Sequence, residues 1–214
     1  MLRRLYIDNV RTFQNFTWEP EMLNLVFGRN GSGKSACLDV LVLLRELLAD
    51  GCGVKEAFPL SSITKWDTRT SQRIECDVEG PEGTFHYRLR MDRQGDAVKV
   101  ASETLHLDAV VLFRFEDGTM HLSKDSGEPG PTFPSDRAYS GLARVVPGPA
   151  NSKLTWFKEW VARIAHLRLV PAMIASRTER EERALQSTGG NFANYYRYLA
   201  QAWPEALDEA RRNL

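Results

Sequence analysis

The sequence predicts an α/β fold, in which a mixed sheet carries a phosphate-loop helix and joins an antiparallel β lobe and C-terminal helices. Three observations predict it. Gly28, Arg29, Asn30, Gly31, Ser32, Gly33, Lys34 and Ser35 match the phosphate-loop pattern G-x-x-x-x-G-K-[ST] at every fixed position. An apolar run at 23–27 precedes them with strand character, and 36–48 follows as an apolar run of helical length without Gly or Pro. Past residue 52, several strand-like segments alternate with Gly-, Pro- and Asp-containing turns.

In order along the chain, residues 2–7 alternate as a strand, with Leu5 and Ile7 opposed to Arg4 and Tyr6. A turn through Asn9 and Phe13 and a second alternation at 15–18 complete a hairpin, and 23–27 is expected as a third strand. The helix after the loop is apolar on nearly all sides, so it should be largely buried until Asp50 and Gly51 end it. Strands are expected at 72–78, 84–91, 98–105, 109–115 and 119–123, separated by Gly80-Pro81-Glu82-Gly83, by 92–96 and by Asp117-Gly118. Residues 124–152 are rich in Gly, Pro, Ser and Asp and are expected to form a long mobile loop. An amphipathic helix follows near 154–165, with Trp156, Phe157, Trp160, Val161 and Ile164 on one face. Core packing of the tryptophans is expected over stacking on a base. A short strand at 167–170 ends at Pro171, Asn191 caps a helix to Leu199, and Pro204 opens a last one to Arg212. The expected organisation is therefore 1–50 (hairpin, strand, loop and first helix), 51–123 (β lobe), 124–152 (mobile loop) and 153–214 (helical segment).

The loop has a physical rationale. Its glycines let successive N–H groups turn inward around phosphate oxygens. Lys34 reaches the β- and γ-phosphates as a point charge, Ser35 is the expected Mg²⁺ ligand, and the helix N-terminus adds about half a positive charge. A Gly-rich turn that merely caps a helix explains the glycines but not Lys34 followed by Ser35.

Bulk properties exclude some classes. The 214 residues are 43% hydrophobic and 26% charged, ordinary values for a folded domain. Lys plus Arg and Asp plus Glu are 28 each, so there is no global basic field to gather nucleic acid. Cys37, Cys52 and Cys76 lack metal-ligand or disulfide-framework spacing, which points to a cytoplasmic setting, and no apolar run is long enough to span a membrane. The GTPase strings Asp92-Arg93-Gln94-Gly95 and Thr64-Lys65-Trp66-Asp67 stand in the wrong order and are taken as turns.

From Leu5 through Phe13, and again from Leu25 to Ser35, the N-terminus resembles the start of RecF-, SMC- and OLD-type ATPases. These are ABC-type heads of the P-loop NTPase kind, often labelled AAA family ATPases. The resemblance covers roughly the first fifty residues and is softer beyond. It implies ATP and Mg²⁺ as cofactors, dimerisation through the nucleotide or a second polypeptide half, and work on DNA or a partner, as in DNA repair or phage defence. It also implies that Arg11 approaches the nucleotide from the first hairpin; an exposed turn arginine is the equal alternative. Such a head needs a strand ending Asp-Glu. The best string, 110–117, is interrupted by Arg114 and ends in the hairpin turn Asp117-Gly118, and no clear signature motif follows. The expectation is therefore the ATP-binding half of a head, a hydrolase only when completed, with Lys34 for phosphate charge stabilisation and no identified catalytic residue. The alternative is a non-hydrolysing nucleotide-binding scaffold or regulatory protein. A small-molecule phosphotransferase lacks visible acceptor-site residues.

Overall fold

The computed structural model of the chain describes residues 1–212. They form two compact units, divided after Ile164. The first is built on one eight-stranded sheet of order β2-β1-β3-β4-β5-β6-β7-β8. Its strands are β1 (Leu2–Asp8), β2 (Phe16–Trp18), β3 (Ser71–Gly80), β4 (Gly83–Gln94), β5 (Ala97–Leu107), β6 (Val110–Glu116), β7 (Thr119–Ser123) and β8 (Pro129–Pro134). Every neighbouring pair is antiparallel. The reason lies in the sequence: β3 through β7 are joined by turns too short for a parallel crossover.

The sheet has two chemically distinct faces because side chains alternate along each strand. One face buries Leu5, Ile7, Ile74, Cys76, Val78, Phe85, Tyr87, Leu89, Leu105 and Phe113. Helices α1 (Lys34–Leu48), α2 (Val54–Ala57) and α3 (Ser152–Ala162) cover it. Phe85 stacks on Trp156 and Phe157 at 4.8 and 5.9 Å, and Tyr87 on Phe157 at 5.6 Å. Both tryptophans of α3 therefore pack against the core. A Cβ on Gly80 would come within 2.7 Å of Phe85 and 2.9 Å of Trp156, so only glycine fits this closely packed turn. The other face is polar: Arg4, Arg73 and Arg88 surround Glu75, and Asp77 pairs with Arg88 and His86.

Two buried polar clusters fasten loops to this frame. Glu103 is fully buried and accepts hydrogen bonds from Tyr87 Oη (2.8 Å), Ser140 Oγ (2.6 Å), Gly141 N (2.8 Å) and Leu142 N (3.3 Å). Asn9, at φ 56°, donates to the carbonyls of Arg69 and Ser71 at 2.8 and 2.9 Å and accepts from Thr64 N at 3.3 Å. Its own carbonyl accepts from Gln72 Nε2 at 3.0 Å. The segment at 62–72 is thus tied down along the turn between β1 and β2.

The second unit carries α4 (Phe192–Ala202) and α5 (Pro204–Arg212). Buried Asn191 organises the approach to α4, donating to the carbonyl of Ala184 at 2.9 Å and accepting from Gln186 N at 2.8 Å. No helix of the described residues is long and apolar enough to cross a membrane.

This architecture corrects the expected class. The mixed α/β sheet of a P-loop NTPase is not what forms: the sheet is open and wholly antiparallel. The run at 23–27 makes no strand, because β1 already has β2 and β3 on its two sides and the run pairs with neither outer edge. Leu23, Leu25 and Phe27 are instead 87%, 78% and 81% exposed. The likeness to RecF-, SMC- and OLD-type ATPase heads is therefore local to the sequence. ATP binding and hydrolysis as part of such a head, a nucleotide-binding scaffold built on that fold, and the associated ATPase activity rest on a parallel-sheet core that this protein lacks. Smaller differences follow the same logic. No strand forms at 167–170, and the Gly/Pro-rich stretch contains β8, paired along β7.

Candidate functional site

The 28–35 loop lies where the N-terminal turn meets the start of α1. Gly31 and Gly33 adopt φ of 84° and 91°, and left-handed Gly33 is the N-cap of α1 without any side-chain cap. A Cβ there would lie 3.1 Å from Thr12 Oγ1 and 3.2 Å from the Phe13 ring, so the turn after β1 supports the loop directly. The first bond of the helix runs from Cys37 N to the carbonyl of Gly33 at 3.0 Å. Among the described residues, the N–H groups of Gly31, Gly33, Lys34, Ser35 and Ala36 have no acceptor. Orphan donors at a helix start, preceded by left-handed glycines, form a concave positive patch suited to an anion.

Lys34 folds back over the loop. Its Nζ donates to the carbonyls of Gly28 and Arg29 at 2.7 and 2.8 Å and reaches Ser32 Oγ at 3.5 Å. The ammonium charge is thus held at the loop rather than extended into solvent. Arg29 contributes its carbonyl, while Asn30 is exposed and Ser35 lies at the exposed start of α1.

Cavities open on both sides. One of about 460 Å³ is walled by Phe13, Phe16, Trp18, Phe27 and Leu38, with Lys34 and Ser35 at its polar side. The other, of about 550 Å³, lies between the 12–17 turn and Gly31 and Ser32, with Trp66 at its margin. The structure brings Gly28, Ser32, Gly33, Lys34 and Ser35 to the first cavity and Gly31 and Ser32 to the second. Arg11 lines neither; its main-chain N–H is bonded to the carbonyl of Ser62 at 2.6 Å, and its Nε is buried without a hydrogen-bond partner among the described residues. Among the described residues no group of three or more His, Cys, Asp or Glu is placed to hold a metal ion.

Sequence reasoning did not foresee the aromatic walls. Phe16 and Trp18 were visible as an alternating pair, but only the fold turns them toward the loop. Trp66 is 63% exposed, and its neighbours on both sides are pinned. Arg69 bridges Asp67 and Asp8 at 2.6 and 2.8 Å, and Thr64 Oγ1 donates to the Phe13 carbonyl at 3.2 Å.

The Asp8 and Asp67 carboxyls are both shifted. Burial pushes Asp8 up, but hydrogen bonds from Arg69 and the Asn15 N–H outweigh it and leave the group below the usual carboxylate range. For Asp67 the Arg69 side chain dominates, followed by the Arg69 N–H and Gln14, all in the lowering direction. Both are structural anions supporting the turn behind the loop.

Neither the family models nor the curated proteins searched include a match to this chain.

Proposed function

We propose that this protein is a binding module for a phosphate-bearing ligand, held at the 28–35 loop and the first turn of α1. The observation that carries the proposal is the cradle itself: five successive or near-successive N–H groups without acceptors among the described residues, curled by Gly31 and Gly33 beneath the Lys34 ammonium. The amides and the helix N-terminus attract the anion and fix its position. Lys34 adds the compensating charge by exchanging a carbonyl contact for a phosphate oxygen. The flanking aromatic cavity supports a ligand with an apolar portion beyond its phosphate. The chemistry of the donors selects phosphate over any particular organic group. ATP with Mg²⁺, Ser35 then being the metal's contact, enters as one probe among several. No bond-breaking step is part of this proposal.

Calorimetric titration and thermal unfolding test it with inorganic phosphate, pyrophosphate, tripolyphosphate and Mg-ATP as probes and chloride as control. At a hundredfold excess over Kd, a bound probe should stabilise the fold by about 2.7 kcal/mol. Lys34→Ala should weaken that probe by about tenfold or more, since a charge-assisted contact is lost, while leaving the unliganded melting temperature nearly unchanged. Failure of all four probes to bind the folded protein would overturn the proposal.

A further inference from the structure

Residues 21–29 run into the phosphate loop, and Val26 and Phe27 line its first cavity, yet most of this stretch leaves unusual chemistry on the surface. Met22, Leu23, Leu25, Val26 and Phe27 are 91%, 87%, 78%, 54% and 81% exposed in a stretch of six residues. Their main-chain N–H and C=O groups make no hydrogen bonds among the described residues. Solvated apolar side chains on an unpaired backbone are the features of an open strand edge, which natural folds ordinarily cover or charge. The ends of this stretch are charged: Glu21 on one side and Arg29 on the other, neither in an ion pair among the described residues.

We propose that this segment pairs with the same segment of a second copy as an antiparallel two-stranded ribbon, with the twofold axis at Leu25. The charge pattern selects both the occupant and the register. Centred on Leu25, the pairing sets Glu21 opposite Arg29 of the other copy at both ends. Leu23 then lies opposite Phe27, and Leu25 opposite itself. Because side chains alternate, Glu21, Leu23, Leu25, Phe27 and Arg29 share one face of each strand. The ribbon therefore carries an apolar stripe closed at each end by opposite charges, the pairing that stabilises neighbouring strands. Sliding the register by two residues one way sets Arg29 opposite Leu23 and Glu21 opposite Gly31, which breaks both end pairs. Sliding it the other way gives Arg29 a different acid, Glu19, but sets Glu21 opposite Phe27 inside the apolar stripe, so only the register centred on Leu25 keeps both charges outside the stripe. The Asn24 side chain, which bonds the N–H and carbonyl of Glu21 at 3.1 and 2.7 Å, gives up those bonds as Glu21 straightens. A contact this short is self-complementary and small, so a dimer in roughly the micromolar range is expected.

Sedimentation equilibrium of the full chain tests the association, and charge exchange tests its register. The native protein should dimerise with rising concentration. Glu21→Arg and Arg29→Glu should each raise the dimer Kd by about tenfold or more, because each sets like charges opposite one another twice. Mixing the two variants should restore association near the native level, since both end pairs are then opposite in sign. Under mild oxidation, Leu25→Cys should cross-link efficiently across the axis, Leu23→Cys should do so poorly, and native Cys37 and Cys76, both buried, should not. Circular dichroism confirms that each variant is folded. A native protein that stays monomeric at every concentration, or dimerises equally well with either charge variant alone, overturns the proposal.

Discussion

Strand β4 and the run at 23–27 are both rich in large apolar side chains, yet the fold treats them oppositely. In β4, Phe85, Tyr87, Leu89 and Met91 are at most 1% exposed, while His86, Arg88 and Arg90 face outward. Hairpin turns deliver β3 and β5 to its two sides, so its backbone is paired along its length. The 23–27 run has comparable side chains but no strand on either side, and it remains outside the core. Apolar content alone does not make a strand. A strand needs partners for its backbone, and those connected by short turns form with the least loss of chain entropy.

The sharpest way to break this contrast is to truncate one apolar side chain from each region. Phe157→Ala, beneath Phe85 and Tyr87, should cost about 3–5 kcal/mol in denaturant unfolding because it opens a cavity in a packed core. Leu25→Ala should change the unfolding free energy of the monomer by less than about 0.5 kcal/mol. Equal losses at the two sites would mean that the exposed run is part of the core.

A smaller effect should arise in the loop that follows the exposed run. At Gly33, φ is 91° and a Cβ would approach Thr12 Oγ1 at 3.1 Å. Gly33→Ala should therefore cost about 1–2 kcal/mol in stability and weaken the tightest phosphate probe by about tenfold, because the cradle must open to admit the methyl group. Unchanged affinity in the folded variant would show that the loop geometry is not what holds the anion.

The smallest effect concerns pH. Asp8 and Asp67 have folded values below their unfolded ones through Arg69, so their contribution is present above the unfolded carboxylate value of about 4. It is lost as pH falls through the depressed folded values. The stability gap between the native protein and Arg69→Met should therefore be widest near neutrality and narrow below about pH 4. A gap of the same size at pH 7 and pH 3 would separate these ion pairs from the support of the turn.

Much of the meander was legible in advance. The segments expected at 72–78, 84–91, 98–105, 109–115 and 119–123 correspond to β3 through β7, because alternation and turn chemistry are local properties. The loop's positive φ at Gly31 and Gly33 was equally legible, since glycine is the residue that reaches it freely. What could not be read was where these pieces sit. The 28–35 pattern suggested the mixed sheet of a P-loop NTPase, but a pattern of eight residues carries no information about which strand neighbours which. The aromatic walls at Phe13, Phe16 and Trp18 and the platform at Trp66 escaped notice for the same reason: residues distant in sequence converge there through the buried bonds of Asn9 and Thr64.

By itself, then, the sequence determined the period of the strands, their turns, the first helix with its glycine start, and the placement of Lys34 at the mouth of that helix. Tertiary structure alone decided that β1 and β2 join the meander in a single antiparallel sheet, and that 23–27 is left outside it. The physical reason is that backbone hydrogen bonding is satisfied between strands rather than within them, so a strand's existence depends on what reaches its edge.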